Sequence, residues 1–349
     1  MKSWDAIVVG AGIIGLSLAR ELHKRAARVL LLERGKPGRE ASHAAAGMLA
    51  YGDPERCAAL QALKLASARL YPEFVREIED ESRLRVDFRR EGTISIVGEH
   101  ARPRCEGVRE LTKAEVDELE PGVRFAGKHA FYTPEESVDN RALVVASSAA
   151  AKHRGIDIAS GTEVTGIDIE GGQVVGVVTS RTKFAAPTIV NCAGAWAGAL
   201  SPAPLPVHPR KGQMLAVVGS ARLRHVLRGP DVYLVPRSDG RILIGATVED
   251  AGYDKRVDPQ TIERLRQAAA NLLPEVTHMR MLEAWAGLRP AAPDGLPILG
   301  ATELPGYLLA TAHFRNGILL APVTAQLLAE IIAGEEPSHD LREFSPARF

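Results

Sequence analysis

A glycine-rich turn near the N-terminus has the residue types that bind a pyrophosphate. Gly10, Gly12 and Gly15 form the pattern GxGxxG after a run of β-branched residues and before a segment with helical spacing. Gly10 allows a tight turn, Gly12 lets the backbone approach a phosphate, and Gly15 lets the helix pack closely on the strand. The first helical amides, at Ile13 and Ile14, then offer hydrogen bonds to phosphate oxygens.

An acidic residue ends the next apolar strand. Glu33 follows the run at residues 29–32, about 20 residues after the last glycine, as a ribose-binding acid does. A carboxylate there accepts hydrogen bonds from ribose hydroxyls and repels a 2′-phosphate, so NADP is disfavoured. The fully apolar strands are typical of a parallel sheet covered on both faces. The pattern predicts a βαβ dinucleotide-binding unit; the alternative is a glycine turn that serves helix packing alone.

Two stretches of small residues favour a flavin dinucleotide over a nicotinamide one. Residues 39–48 and 191–198 are rich in Ala, Gly and Ser, which suits the close approach of a backbone to a large flat ring. Only one GxGxxG is present, without a CxxxxC pair, whereas a pyridine-nucleotide disulfide reductase has two such motifs and the cysteine pair. Bound NAD(P)H is therefore not the expected electron donor.

Arg289 is the candidate anchor for a substrate. It lies in the sequence Gly-Leu-Arg-Pro at the end of an apolar strand. A guanidinium beside small residues needs an anion, and its planar fork binds a carboxylate through two parallel hydrogen bonds; the alternative is a structural ion pair. Tyr233 can donate its hydroxyl to the same carboxylate, or else it is a half-buried aromatic of a sheet. Arg315 either closes the site or holds its own loop.

These residues need elements that bring them together. Beyond the βαβ unit, the sequence predicts a strand at residues 188–190, a helix at 138–152 capped by Asp139 or Asn140, a meander of 156–169 and 174–182, a hairpin of 233–236 and 242–245, and a C-terminal helix at 317–333. No linker or repeat divides the chain, so two interleaved lobes are expected.

Composition disfavours several classes of function. The 349 residues carry 43 basic and 43 acidic side chains, and this neutral balance disfavours nucleic acid or an anionic membrane as a partner. Cys57, Cys105 and Cys192 are too few and scattered for a disulfide framework or a zinc site, so no metal and a reducing, cytoplasmic location are expected. The apolar run at residues 6–19 is too short for a membrane span, and Asp5 directly before it and the glycines within it argue against a signal peptide.

Stretches along nearly the whole chain resemble the FAD-dependent amino-acid oxidases, and most closely the glycine oxidases of thiamine biosynthesis. They are residues 10–15, 42–49, 191–198, 233–247, 285–290, 294–295 and 313–322. The resemblance implies an α/β fold in which an FAD-binding Rossmann-like domain of the glutathione-reductase type is interleaved with an antiparallel-sheet substrate domain. It assigns residues 1–50, 138–204 and 286–349 to the first and 51–137 and 205–285 to the second. FAD is expected to bind non-covalently.

The resemblance also implies the roles of individual residues. Arg289 and Tyr233 orient the substrate, with Arg315 beside them. Asp231 and Val248 stand where a His and a Met are expected, which leaves open whether glycine, sarcosine or a small D-amino acid is preferred. The residues expected to contact FAD are Gly10, Gly12, Ile13, Ile14, Gly15, Glu33, Arg34, Ala41, Ser42, Ala46, Gly47, Met48, Val164, Ala193, Gly194, His313, Phe314, Arg315, Asn316, Gly317, Ile318 and Leu319.

The implied reaction is an oxidative deamination of a small amino acid by O2. A hydride passes from the substrate Cα to flavin N5, the imine hydrolyses to the 2-oxo acid and ammonia, and O2 yields H2O2. The N-terminus of the C-terminal helix, at Asn316-Gly317, is expected to stabilise negative charge on the flavin, and a homo-oligomer is expected. Two alternatives remain: a D-amino-acid or N-methyl-amino-acid dehydrogenase that reduces a quinone or carrier, and a flavin-binding sensor without turnover.

Overall fold

The structure is a computed structural model that describes residues 3–52, 57–97, 103, 105–124 and 129–349. Its helices within these ranges are α1 (Ile13–Lys24), α2 (Ala41–Ala44), α3 (Ala58–Ser82), α4 (Lys113–Leu119), α5 (Asn140–His153), α6 (Ala197–Leu200), α7 (Pro259–Leu272) and α8 (Ala321–Ile332). None of the helices in the described ranges has the length and apolar character that crossing a membrane requires.

The strands within the same ranges are β1 (Ala6–Val9), β2 (Val29–Glu33), β3 (Phe88–Arg89), β4 (Thr93–Val97), β5 (Arg109–Leu111), β6 (His129–Thr133), β7 (Ser137–Val138), β8 (Asp157–Ser160), β9 (Val164–Glu170), β10 (Gln173–Thr179), β11 (Lys183–Ala185), β12 (Thr188–Asn191), β13 (His208–Val218), β14 (Val226–Arg228), β15 (Tyr233–Pro236), β16 (Arg241–Gly245), β17 (Arg280–Ala291), β18 (Ile298–Ala301) and β19 (Tyr307–Thr311). They form two large sheets and two small ones.

A six-stranded sheet carries the glycine turn between β1 and α1. Its order is β18, β19, β12, β1, β2, β8, and all neighbours pair in parallel except β18 with β19. Side chains alternate between its faces. Val8 belongs to the core shared with α1, α3, α5 and α8, whereas Ile7 belongs to the core under the small sheet of β9, β10 and β11. Both faces are therefore covered, as the apolar strands predict.

An eight-stranded sheet forms the second layer. Its order is β17, β13, β16, β15, β14, β4, β6, β5, and only β14 and β4 pair in parallel. Helix α7 packs on one face through Ile262 and Leu265. The other face packs Met214 and Leu243 against Ala46 and Met48, which precede α3 in the chain. The antiparallel pairing of β15 with β16 confirms the predicted hairpin.

The chain crosses repeatedly between the two large sheets. The six-stranded sheet draws strands from residues 6–33, 157–191 and 298–311, and the eight-stranded sheet takes the stretches between them. This interleaving confirms the predicted fold class. The exact domain boundaries stay a prediction. The boundary expected at residue 286 falls inside β17, which pairs with β13 along its whole length.

Two predicted elements differ from the observed ones. The meander is wrong at its start: residues 157–160 form β8, which pairs in parallel with β2, and only β9 pairs with β10. Gly161, at φ +70°, separates these two strands. An alternating apolar pattern predicts a strand but does not specify its partner.

The C-terminal helix, predicted to begin at residue 317, begins four residues later at Ala321. An earlier start would need Ile318 O to accept from the N–H of residue 322, and Pro322 has none. The hydroxyl of Tyr71 donates to that carbonyl instead, at 2.9 Å, and the hydroxyl of Ser67 donates to Leu319 O at 2.6 Å. Side chains of α3 thus replace the missing helical bonds.

Asp139 is the residue that caps α5. Its Oδ1 accepts from the N–H groups of Arg141 and Ala142 at 2.9 and 3.0 Å, and its Oδ2 lies 3.1 Å from Nη2 of Arg241. Burial raises its pKa, but these amides and the guanidiniums of Arg237 and Arg241 outweigh burial and hold the pKa below its ordinary value. Asp139 therefore joins α5 to the hairpin of the other sheet.

We expect Asp139→Ala to lower the free energy of unfolding by about 1–3 kcal/mol at pH 7, because a cap and a charge pair are lost. A depressed pKa means that the contribution is present above the pKa of the unfolded aspartate and is lost as the pH falls below about 4. Urea unfolding should show a gap between parent and variant that narrows at low pH. Asp80→Ala, at an exposed position of α3, is the control; an equal loss there would contradict the assignment.

Candidate functional site

One large cavity receives residues from both large sheets. Its volume is about 670 Å³, within the range of roughly 300–1,000 Å³ common for ligand sites. Its walls come from the turn after β1, the segments after β2 and β12, strands β13 to β17 and the segment before α8. The segments at the carboxyl ends of parallel strands are where a dinucleotide binds in such sheets.

The glycine turn has no room for a side chain at Gly10 or Gly15. Gly10 has φ +103°, and a Cβ there would lie 2.5 Å from Cys192 O. A Cβ at Gly15 would lie 2.0 Å from Gly10 O, so Gly15 permits close packing although it does not line the cavity. Ile13 N donates to Ser42 Oγ at 3.0 Å. Among the described residues no acceptor is recorded for the N–H of Gly12 or Ile14, which suits phosphate oxygens.

Glu33 lies in the wall beside this turn. Its Oε2 accepts from Ala11 N at 2.9 Å and its Oε1 from Gly35 N at 2.8 Å. A carboxylate has about four acceptor positions, so two remain for ribose hydroxyls. The next side chain, Arg34, places its Cζ 3.6 Å from the ring centre of Trp196 and pairs with Glu40 at 3.1 Å.

The small-residue segment 41–48 fits closely against α5 and its cap. Gly47 has φ +72°, and a Cβ there would lie 1.9 Å from Val138 O. The buried guanidinium of Arg237 donates to Ala46 O at 2.8 Å, and Asn140 Nδ2 donates to Ser42 O at 2.7 Å. These bonds hold the backbone along the cavity wall, where small side chains leave space for a flat ring.

Arg289 stands at the cavity end of β17, partly buried. Its Nη1 donates to Thr247 O at 2.9 Å, and within the described residues no carboxylate pairs with it. A Cβ on Gly212 of the paired strand would lie 2.2 Å from Nη1, so the guanidinium needs glycine there. Burial lowers the pKa of Arg289, and a bound carboxylate would offset that cost.

The Tyr233 hydroxyl lies beside this guanidinium. Burial raises its pKa, and the charges of Arg289, Arg228 and Arg315 lower it in part, so the phenol is neutral at physiological pH. Within the described parts of the chain, the sulfur of Met214 is the one hydrogen-bond acceptor for this hydroxyl, at 3.8 Å. A substrate carboxylate is a much stronger acceptor than a thioether.

A polar network behind Arg289 fixes the carbonyl that holds it. The hydroxyl of Thr247 donates to Glu249 and accepts from Gln213 N at 2.9 Å. The Gln213 amide group donates to the same carboxylate at 2.9 Å. Lys211 Nζ lies 3.8 Å from it. The network orients Thr247 O toward Nη1 of Arg289.

The segment before α8 meets the end of β17. Phe314 N donates to Pro290 O at 2.8 Å, which brings Arg315 to the cavity near Arg289 and Tyr233. His313 is buried with Nε2 3.1 Å from Thr324 Oγ1. Burial lowers its pKa to about 3, so the imidazole is neutral at physiological pH.

The expected helix dipole at Asn316-Gly317 is replaced by a turn. Leu320 N donates to Asn316 O at 2.8 Å, and α8 begins only at Ala321. Within the described residues no acceptor is recorded for the N–H groups of Gly317, Ile318 and Leu319. These three N–H groups can therefore donate hydrogen bonds to a ligand, as the first N–H groups of a helix would, although they belong to a turn.

The cavity brings together almost every residue that the sequence singled out. Only Gly15 and Leu319 lie outside its lining, and Asp231 and Val248 are exposed parts of it. Sequence reasoning missed Arg228, which pairs with Tyr233 across β14 and β15 and lines the cavity. It also missed Gly212 and Trp196, although Trp196 stands in a stretch that carries the family resemblance.

Fold and cavity together define a dinucleotide-dependent oxidoreductase with an arginine on its substrate side. The chain belongs to the DAO family of FAD-dependent oxidoreductases, whose model matches residues 5–331. FAD is therefore its cofactor, and the glycine turn, the available amides and the small-residue segment fit that group.

Named relatives extend the comparison. The chain is 39% identical to the bifunctional protein ThiO/ThiG of Trichormus variabilis over 99% of its length, but spans only 55% of that protein. It is 36% identical to the glycine oxidase of Pseudomonas aeruginosa, and the match covers 98% of each. The crystal structure of glycine oxidase from Geobacillus kaustophilus matches 100% of both chains with a TM-score of 0.94 at 32% identity. These matches confirm the predicted family.

We expect Glu33→Gln to weaken FAD binding roughly 10- to 150-fold, because each charge-assisted hydrogen bond contributes about 1.5–3 kcal/mol. Calorimetric titration of FAD into protein stripped of its flavin measures the change. Glu170→Gln, at an exposed position of β9, is the matched control. An unchanged dissociation constant in Glu33→Gln would remove Glu33 from the ribose site.

Proposed function

We propose that the protein catalyses the FAD-dependent oxidation of glycine: glycine, O2 and water give glyoxylate, ammonia and H2O2. The observation that carries the proposal is the pair of Arg289 and Tyr233 on the FAD cavity, with a cation that lacks a carboxylate among the described residues. Glycine oxidases are also among its full-length relatives. A small amino acid supplies the missing carboxylate.

The chain's residues bind and orient rather than perform proton chemistry. Bound FAD would supply the acceptor for the hydride that leaves the substrate Cα and the group that O2 reoxidises. Arg289 holds the substrate carboxylate through its guanidinium fork, and Tyr233 donates a further hydrogen bond to the same group. Two directional contacts fix the orientation of Cα, and such positioning lowers the barrier to the transfer.

No side chain of the cavity is assigned as a general base. His313 is neutral and bonded to Thr324, and the substrate amine binds in its neutral form. The N–H groups of Gly317, Ile318 and Leu319 offer hydrogen bonds to negative charge that develops on the bound ring. Fixed donors of this kind stabilise charge without reorganisation.

The wider role follows from the same proposal. Glycine oxidation would feed thiazole formation in thiamine biosynthesis, in keeping with the match to ThiO/ThiG. The three cysteines form no disulfide within the described residues, which favours a reducing compartment. We propose the cytoplasm as the location, O2 as the acceptor and a homo-oligomer as the assembly. The domain boundaries and FAD-contact residues given above are part of this proposal.

We expect Arg289→Ala to lower kcat/KM for glycine by a factor equivalent to about 3–5 kcal/mol, because two hydrogen bonds to the carboxylate are lost. Arg289→Lys should recover only part, since an ammonium cannot form the fork. The flavin spectrum should stay that of the parent. Arg280→Ala, exposed at the far end of β17, is the control. A variant with alanine at 289 that binds FAD and oxidises glycine normally would show that another residue anchors the substrate.

A peroxide assay with glycine, sarcosine, D-alanine and D-proline tests the activity itself. We expect peroxide, with glycine among the good substrates. A pocket separates substrates that differ by one methylene by only about 1–3 kcal/mol, so overlapping activity on sarcosine and D-alanine is also expected. Turnover of glycine far below all others would refute glycine and keep the oxidase class. No peroxide from any of them would refute the class.

A further inference from the structure

The loop between β16 and α7, residues 246–258, reaches across the cavity. Its base is fixed on β13: Lys211 and Glu249 exchange two backbone hydrogen bonds at 2.9 and 3.0 Å, and Asp258 N donates to Gln213 Oε1 at 2.7 Å. Its tip contacts segments that belong to the other sheet. We name residues 246–258 the clasp loop.

Two contacts attach the tip of the clasp loop. The ring of Tyr253 stacks on Trp196 with centroids 5.5 Å apart, and its hydroxyl donates to Ala195 O at 3.0 Å. Lys255 Nζ lies 3.0 Å from Glu40 Oε2. Trp196, Ala195 and Glu40 all line the cavity, whereas Tyr253 and Lys255 do not.

The segments held by the clasp loop are those that follow β2 and β12. They stand at the carboxyl ends of parallel strands, where a dinucleotide binds, and Arg34, which stacks on Trp196, follows Glu33 directly. Tyr253 is 49% exposed, so this large ring is kept at the surface by its contacts with Trp196 and Ala195. An element of the eight-stranded sheet thus bridges to the walls of the cofactor site.

We propose that the clasp loop retains FAD, with Tyr253 fixing Trp196 and Lys255 fixing Glu40 so that the cofactor walls cannot separate. Tyr253 and Lys255 are positioning residues, since they act through residues of the wall. The contacts must break before FAD leaves, so they slow its release. The inference rests on FAD as the cofactor and is independent of which amino acid is oxidised.

The test measures FAD release from the holoenzyme. After dilution, the flavin that passes an ultrafiltration membrane is followed with time. Tyr253→Ala should release FAD about 5- to 50-fold faster, because the stack and one hydrogen bond are lost. Tyr253→Phe keeps the stack and should fall between parent and Tyr253→Ala. Met281→Ala, a similarly exposed apolar residue on β17, should match the parent.

The Lys255→Ala variant provides a second test of FAD release, with a smaller expected effect. An exposed ion pair contributes little, so release should rise by no more than about 5-fold at low salt and match the parent in 0.5 M NaCl, where the pair is screened. The Lys255→Ala test remains usable even if the Tyr253→Ala variant folds poorly.

A purely structural role for the loop predicts a different result. It would lower the melting temperature of stripped and FAD-loaded Tyr253→Ala protein alike, whereas retention lowers that of the loaded form by more. Equal melting losses, or release from Tyr253→Ala at the rate of Met281→Ala, would overturn the proposal. Faster release with normal turnover at saturating FAD would support it, and loss of glycine oxidation alone would bear only on the substrate.

Discussion

The guanidinium of Arg289 is the charge around which the substrate side of the cavity is organised. It is partly buried, and its hydrogen bonds go to backbone carbonyls of Thr247 and Lys211, which carry only partial charge. Burial of a cation without a full counter-charge costs free energy and lowers the pKa of the group. A bound carboxylate offsets that cost. The burial of Arg289 therefore destabilises the free protein and favours the binding of an amino acid.

Substrate anchor and cofactor wall are mechanically connected. β17 carries Arg289 and then, through Pro290 O, holds the N–H of Phe314 at 2.8 Å. Ala312 and Phe314 have φ of +56° and +48°, a left-handed conformation that costs non-glycine residues of order 1 kcal/mol. The backbone before α8 is thus fixed in an unfavourable shape by its attachment to the strand. Movement of the anchor would therefore shift the segment whose amides we propose to bind FAD.

Local features of the sequence predicted the parts that depend on near neighbours. The βαβ unit follows from Gly10, Gly15 and Glu33, whose spacing lies within one supersecondary unit. Features that depend on distant partners were missed or wrong. Nothing near Gly212 reveals that it must leave space for a guanidinium on β17. Pro322 is a local signal for the start of α8, but the hydroxyls of α3 that satisfy the carbonyls before it come from a distant segment. Arg289 and Tyr233 were assigned roles through the family resemblance, while the clasp loop had no sequence signal at all.

We propose that the two departures from the glycine-oxidase pattern bear on selectivity rather than on anchoring. Asp231 and Val248 both line the cavity but are exposed, whereas Arg289 and Tyr233 are partly buried and held by neighbours. A wall made of exposed side chains excludes a larger substituent weakly, because such side chains move at little cost, while a packed wall resists. Substitution at these two positions therefore changes the preference among small amino acids more readily than it changes the requirement for a carboxylate. On this proposal, the anchoring of the carboxylate and the substrate range depend on different parts of one cavity.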